Sequence, residues 1–167
     1  MARALNCSDL GEYLLHEAMP LFWCPGCGNG IILGAIVRTL AALGLRREDV
    51  VVTTGIGCWG KADDYLRTHG RALPLATGVK AVKPQLVVLA LMGDGDCATI
   101  GGNHLIHSAR RNIDVTAVVA NNFNYGMTGG QFSATTPEGA LTSTSVYGNP
   151  EAEFDICKVA EAAGANY

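Results

Sequence analysis

The chain has 167 residues, of which 49% are hydrophobic and 16% are charged, and its formal net charge at pH 7 is −3. This length and composition predict a single domain, residues 1–167, with a sizeable core. The slightly acidic balance and the lack of a basic run argue against a nucleic-acid partner. No apolar stretch reaches the roughly 18 residues of a membrane span, and no signal-peptide core is recognisable, so we expect a cytoplasmic protein without a membrane partner.

The predicted elements alternate between helices and short apolar strands. A short helix is predicted over residues 8–16, and a helix that is apolar on most faces, and therefore expected to be buried, over 31–45. Strands are predicted over 50–54, 84–92 and 115–120. Helices follow over about 72–80, 98–111 and 151–164, and a long polar loop spans 131–150. This order predicts an α/β fold, with a parallel sheet of four or five strands and helices on both faces.

Six cysteines without a secretory signal predict metal ligands or core thiols rather than disulfides. Cys24 and Cys27 form a Cys-x-x-Cys pair in a Gly/Pro loop, and Cys58 follows the strand 50–54. These three side chains could converge on one metal centre, and their spacing is compatible with either zinc or an iron–sulfur cluster. A thioredoxin-type redox pair is disfavoured, since no strand precedes Cys24. Cys7 and Cys97 have no partner pattern and are expected to be packed thiols.

Two polar segments follow two neighbouring buried strands. Gly93-Asp94-Gly95-Asp96 comes after the strand 84–92, and Asn121-Asn122 comes after the strand 115–120. The carboxyl ends of parallel strands meet at one edge, so the side chains of Asp94 and Asn122 should lie together there. With a main-chain carbonyl, they would form part of an octahedral, all-oxygen magnesium site. The glycines would let the backbone approach a ligand, and Asp96 could cap the next helix. The plainer alternative is a Rossmann-like βαβ unit with an Asp-capped helix and a polar loop.

These two segments resemble the thiamin-diphosphate-binding motif. Together with the run 125–131, Tyr-Gly-Met-Thr-Gly-Gly-Gln, they are similar to the β subunit of the 2-oxoacid:ferredoxin oxidoreductases, a resemblance that extends over about residues 23–148. It implies that Asp94, the side chain of Asn122 and the carbonyl of Asn124 bind Mg²⁺. It also implies that Cys24, Cys27 and Cys58 are ligands of a [4Fe-4S] cluster. The residues it places around thiamin diphosphate are His69, Gly93, Asp94, Gly95, Asp96, Asn122, Asn124, Tyr125, Gly126, Met127 and Thr128.

The activity implied by this resemblance is the oxidative decarboxylation of a 2-oxoacid, with coenzyme A taking the acyl group and ferredoxin the electrons. In such enzymes a glutamate for the aminopyrimidine comes from a larger α subunit that carries the pyrimidine-binding domain, and no glutamate here follows an apolar strand. We therefore expect a heteromer, with no certain catalytic residue in this chain. Lys61 and Met127 are candidate substrate contacts, and a distal carboxylate that pairs with Lys61 would favour 2-oxoglutarate.

Three alternatives remain open at this stage. A non-oxidative thiamin-dependent 2-oxoacid decarboxylase subunit would keep the magnesium motif but has no reason for three cysteines. A nucleotide-binding module with structural zinc would keep the cysteines but not the Asn-rich loop. His69 could also be an ordinary loop histidine. Because a cluster needs four thiolates and Cys157 lies within a predicted helix, we expect the fourth ligand in a missing C-terminal segment or in another chain.

Overall fold

The protein divides into two compact units, residues 1–51 and 52–167. The structure is a computed structural model that describes residues 11–14, 23–62 and 69–166, and for residues 61 and 62 it describes the backbone alone. Most of the helix predicted over 8–16 lies outside the described residues, as does Cys7. In the described part of the chain, no helix has both the length and the apolarity that crossing a bilayer requires.

The first unit is built around helix α1 (Gly28–Ala42), which a 3-10 helix follows at Arg47–Asp49. The helix starts three residues before the predicted bound, directly after a tight turn in which Cys27 N donates to the Cys24 carbonyl at 3.0 Å. Its expected burial is wrong: only Val37 and Leu40 are buried, and Ile31 is 71% exposed. An evenly apolar helix is buried only where other elements surround it, and a single stripe of α1 is covered.

The described residues contain a three-stranded sheet in the order β1-β2-β3. The strands are β1 (Val50–Thr54), which begins at the boundary between the units, β2 (Val87–Gly93) and β3 (Thr116–Ala120). β2 and β3 run parallel, and Gly93 lies opposite Ala120. The prediction of four or five strands is wrong for the described residues. The chain beyond β3 instead forms a separate antiparallel pair, β4 (Asn124–Tyr125) and β5 (Gln131–Phe132).

The core lies against the central strand β2, which is buried on both faces as predicted. One face of β2 packs against helix α2 (Ala72–Val82), whose Ala72 and Ala76 are fully buried and allow a close approach. Cys97 belongs to the same core cluster, so its prediction as a packed thiol is confirmed. Burial raises the pKa of the Cys97 thiol to about 12. The opposite face of β2 carries Leu89 and Leu91, which are also buried. The fold is therefore α/β, as predicted.

Two helices complete the second unit, and both differ from their predicted bounds. The predicted helix 98–111 is a π-helical segment (Gly95–Ile100) followed by helix α3 (Gly102–Arg110). Helix α4 (Ile156–Ala162) begins five residues later than predicted, because the Asp155 side chain caps it by accepting from Lys158 N at 3.0 Å. The wider turns of the π segment lie directly after Asp94, and such bulges are frequent at functional sites.

Candidate cofactor-binding site

The ends of β2 and β3 place Asp94 beside the loop that follows β3. Because Gly93 is paired with Ala120, both strands end at the same edge. Asn122 N donates to Asp94 Oδ1 at 3.3 Å, although the two residues are 28 positions apart. Asp94 is 1% exposed, so its carboxylate is withdrawn from water and depends on the groups around it. The two polar segments therefore meet, as their spacing predicts.

Three polar groups converge at this point. The terminal atom of the Asn122 amide that faces Asp94 Oδ1 at 2.7 Å and the Asn124 carbonyl oxygen at 2.9 Å is best satisfied as the nitrogen, which donates to both oxygens; a cation between the three groups would instead require the amide oxygen there. An octahedral magnesium ion holds its ligands at about 2.0–2.1 Å, which places neighbouring oxygens about 2.9 Å apart. One carboxylate, one amide and one carbonyl oxygen are also the ligand types that magnesium prefers. With the Asn122 amide oxygen turned toward the other two groups, the residues predicted to bind Mg²⁺ fit this ion in chemistry and in spacing.

The turn between the two asparagines depends on an unusual backbone conformation. Phe123 has φ = 62°, in the left-handed region, which costs a residue with a side chain about 1–2 kcal/mol. Two short-range hydrogen bonds hold the turn: Phe123 N donates to Asn121 Oδ1 at 3.2 Å, and Asn124 Nδ2 donates to the Asn122 carbonyl at 2.9 Å. The reversal at Phe123 brings the Asn122 side chain and the Asn124 carbonyl to the same side.

Two hydroxyl groups that the sequence analysis did not identify bind the other oxygen of Asp94. Ser133 Oγ donates to Asp94 Oδ2 at 2.5 Å, and Thr135 Oγ1 donates to it at 2.7 Å. Both residues are buried. The polar loop 131–150 was expected to serve a site, since long polar loops usually do, but no local pattern distinguishes these two hydroxyls from the other Ser and Thr residues of the loop.

Asp96 does not cap a helix, so that prediction is wrong. It lies inside the π-helical segment, and its Oδ1 accepts instead from Gly70 N at 2.6 Å and from Ile56 N at 3.3 Å. His69 Nε2 is 3.6 Å from the same oxygen. Burial raises the pKa of the Asp96 carboxyl, although the two backbone donors lower it. Asp96 therefore ties the loop after β1 and the turn before α2 to the segment that carries Asp94.

Gly95 has a packing role that the sequence did not predict. A Cβ at this position would lie 2.4 Å from the ring of Tyr125, so only glycine leaves room for that side chain. Tyr125 OH donates to the Gly95 carbonyl at 3.3 Å. The Tyr125 ring also meets His69 edge to face, with 5.8 Å between the ring centroids. Burial raises the pKa of the Tyr125 phenol. His69 and Tyr125 thus lie together beside the predicted magnesium ligands.

The remaining predicted contacts of the loop 125–131 lie on its exposed side. Thr128 Oγ1 donates to Gln131 Oε1 at 2.5 Å, which closes the loop on itself. Met127 is half exposed. A Cβ at Gly126 would approach the Asn122 amide nitrogen to 3.1 Å, so this glycine leaves space for a predicted magnesium ligand.

The three predicted cluster cysteines belong to different units. Cys24 and Cys27 lie in the first unit, and Cys58 follows β1 in the second, directly after Gly57 with φ = 100°. Among the described residues, no group of three His, Cys, Asp or Glu side chains is close enough to hold a metal ion. The side chain of Lys61 lies outside the described part of the chain. A shared cluster and a substrate contact at Lys61 stay predictions.

Comparison with known proteins agrees with this geometry. Residues 54–167 match the family of thiamine pyrophosphate enzymes, over the C-terminal TPP binding domain. The chain belongs to this family. It is 55% identical over 166 residues to the 2-oxoglutarate synthase subunit KorB of Archaeoglobus fulgidus, covering 96% of this chain and 62% of the relative. It is 44% identical to the 2-oxoglutarate oxidoreductase subunit KorB of Mycobacterium tuberculosis, covering 87% of this chain and 40% of the relative.

A solved structure is also similar to this chain. The chain resembles the 2-oxoglutarate:ferredoxin oxidoreductase from Magnetococcus marinus with a TM-score of 0.86 and 36% sequence identity, covering 95% of this chain and 56% of that chain. That structure has 2-oxoglutarate, coenzyme A and succinyl-CoA bound. The resemblance to β subunits of 2-oxoacid:ferredoxin oxidoreductases is thereby confirmed. The chain spans less than two thirds of the length of these relatives.

Proposed function

We propose that this chain is the thiamin-diphosphate-binding β subunit of a 2-oxoacid:ferredoxin oxidoreductase that converts 2-oxoglutarate to an acyl-CoA. The observation that carries the proposal is the convergence of the Asp94 carboxylate, the Asn122 amide and the Asn124 carbonyl at the carboxyl edge of β2 and β3, in a chain that resembles such subunits. Thiamin diphosphate supplies the nucleophilic carbon that makes decarboxylation of a 2-oxoacid feasible.

In this proposal, three oxygens of the chain bind the Mg²⁺ ion that holds the cofactor's diphosphate. Asp94 provides the only carboxylate of the three, so it supplies the negative charge, while Asn122 and Asn124 complete one side of the octahedron. The three groups already meet at one edge of the sheet, so receiving the ion would require only that the Asn122 amide turn its oxygen toward it. His69 and Tyr125, together with the loop 125–131, are proposed to border the cofactor. Gly93, Gly95 and Gly126 keep the backbone beside it free of side chains.

Electron transfer is assigned to a [4Fe-4S] cluster with Cys24, Cys27 and Cys58 among its ligands. The support is the placement of each cysteine in a glycine-containing turn: Gly26 has φ = 78° between Cys24 and Cys27, and Gly57 has φ = 100° before Cys58. Glycine permits such tight turns, which leave the neighbouring cysteine side chains free to face a bound group. Thiolates are the usual ligands of such clusters. Ferredoxin is the proposed acceptor.

We further propose that the active enzyme contains a larger α subunit with the pyrimidine-binding domain. The support is that the similar chains from Archaeoglobus fulgidus and Mycobacterium tuberculosis are named as subunits. The solved relative has coenzyme A bound, so coenzyme A is the proposed acyl acceptor here. Lys61 is proposed to pair with the distal carboxylate of 2-oxoglutarate, and Met127 to form a deformable apolar wall.

The test is to express the chain with its α subunit under anaerobic conditions and to measure iron, acid-labile sulfide, bound thiamin diphosphate and ferredoxin reduction. We expect all four, with reduction dependent on both 2-oxoglutarate and coenzyme A. Asp94→Asn should abolish cofactor retention, whereas the matched exposed variant Asp114→Asn should keep it. Cofactor without iron would instead indicate a non-oxidative decarboxylase, and zinc without cofactor would indicate a nucleotide-binding module.

A separate experiment tests the substrate assignment. Lys61→Ala should lower the use of 2-oxoglutarate far more than the use of an apolar 2-oxoacid, because only the former has a second carboxylate to pair with. The exposed variant Lys83→Ala should change neither. Equal losses with both substrates would reject the pairing while leaving the cofactor assignment in place.

A further inference from the structure

The segment 133–136 carries three hydroxyl side chains, and we call Ser133, Thr135 and Thr136 the hydroxyl clip. All three are buried, at 1–2% exposure. The segment is held in one shape by its own hydrogen bonds: Ser133 N donates to Thr136 Oγ1 at 2.8 Å, and Thr136 N donates to the Ser133 carbonyl at 3.0 Å. Asn149 Nδ2 donates to the Thr136 carbonyl at 2.9 Å, which anchors the clip to the end of the same loop.

The clip first acts on the Asp94 carboxylate. Ser133 and Thr135 both donate to Oδ2, at 2.5 and 2.7 Å, lengths typical of strong hydrogen bonds to a charged acceptor. With Oδ2 occupied twice, the carboxylate cannot rotate about its bond to Cβ without losing both contacts. Oδ1 is then directed at the Asn122 amide, beside the Asn124 carbonyl.

The clip also acts on the turn that follows β3. Thr136 Oγ1 donates to the Phe123 carbonyl at 2.6 Å, and Thr135 Oγ1 is 3.0 Å from Asn121 Oδ1. Phe123 is the residue with the left-handed backbone, which surrounding contacts must hold in place. A single four-residue segment therefore contacts both sources of the three oxygens, Asp94 after β2 and the turn 121–124 after β3.

We propose that Ser133, Thr135 and Thr136 are positioning residues that set the spacing of the magnesium ligands without touching the ion themselves. The inference rests on the proposed function, because it concerns the ion-binding geometry of that site. Partners that orient metal ligands commonly change metal affinity about 10–100-fold when they are replaced. We expect an effect of that size for each hydroxyl that contacts Asp94 and a similar one for Thr136.

The experiment measures Mn²⁺ binding by electron paramagnetic resonance, with thiamin diphosphate present, on the full chain expressed with its α subunit. Thr135→Val keeps the shape of the side chain and removes its hydroxyl, so Mn²⁺ affinity should fall about 10–100-fold. Thr135→Ser keeps the hydroxyl and should restore affinity to near the wild-type value. Thr116→Val, on the exposed side of β3, is the matched control and should bind normally.

A purely structural role predicts a different pattern. It would lower the urea midpoint of unfolding and leave the Mn²⁺ affinity of the folded fraction unchanged, whereas a positioning role changes that affinity and the Mn²⁺ spectrum. If Thr135→Val does not fold, Ser133→Ala gives the same comparison through the other hydroxyl on Asp94 Oδ2. Wild-type Mn²⁺ affinity in both Thr135→Val and Ser133→Ala, or weak Mn²⁺ binding by Thr135→Ser, would reject the positioning role of the hydroxyl clip. Either result would leave the proposed function intact. A wild-type protein that binds neither Mn²⁺ nor thiamin diphosphate would overturn the proposed function itself.

Discussion

Replacing Gly55 with alanine should separate the loop after β1 from the segment that carries Asp94. A Cβ at Gly55 would lie 1.6 Å from Asp96 Oδ2 and 2.2 Å from Asp96 Cγ, so the carboxylate has to move. Gly55 is outside the positive-φ region, so alanine adds no backbone strain of its own. The clash is therefore the whole perturbation.

The size of the effect follows from the hydrogen bonds that Asp96 would lose. Its Oδ1 accepts from Gly70 N and Ile56 N, and a hydrogen bond to a charged group contributes about 1.5–3 kcal/mol. Overpacking a buried position typically lowers the free energy of unfolding by about 1–3 kcal/mol. We expect Gly55→Ala to lower the free energy of unfolding by about 3 kcal/mol, since the short bond to Gly70 is lost and the longer one is weakened. For a chain of this size that corresponds to roughly 6–12 °C in Tm.

Urea unfolding followed by tryptophan fluorescence measures this loss, because Trp59 is buried in the native state. The matched control is Gly78→Ala in the middle of α2, where an added Cβ meets nothing within 4 Å, and it should stabilise the protein by about 0.5–1 kcal/mol. In an Asp96→Ala background the clash is absent, so Gly55→Ala should cost little there. An equal cost with and without the Asp96 carboxylate would refute the reasoning.

Three further predictions concern the same region. Burial raises the pKa of the Asp96 carboxyl above its ordinary value near 4, so the native state binds the carboxyl proton more tightly than the unfolded state does. The contribution of Asp96 to stability therefore falls as the pH rises from that ordinary value through the raised pKa. Asp96→Asn should flatten that fall in urea unfolding from pH 4 to 7; an unchanged slope would contradict it. Gly95→Ala should displace Tyr125, seen as faster nitration of Tyr125 by tetranitromethane in peptide mass spectrometry, and an unchanged rate would contradict the packing role. At pH 8, iodoacetamide should label exposed Cys157 but not buried Cys97, as read by peptide mass spectrometry, and equal labelling would contradict the burial.

Short-range patterns in the sequence were enough to predict the α/β class and the central strand. Residues 86–92 are apolar at every position, a pattern typical of a strand covered on both faces, and β2 is such a strand. The helix predicted over about 72–80 is likewise present, and its small residues Ala72 and Ala76 belong to the core beside β2. Where the same kind of pattern was wrong, over α1, apolar residues surround the helix evenly, and composition alone does not reveal which stripe a neighbour will cover.

The meeting of Asp94 and Asn122 could also be predicted, because one strand–helix–strand unit separates them and parallel strands end at a common edge. What only the tertiary structure decided is how the Asp94 carboxylate is oriented. Ser133 and Thr135 lie 39 and 41 residues beyond it, in a loop without a repeating pattern. Their contacts with Asp94 depend on how that loop folds over the sheet edge, and nothing in the local sequence specifies that path. Asp96 is a similar case, since its position after Gly95 indicated a helix cap, whereas its burial against two distant backbone N–H groups made it a link between loops.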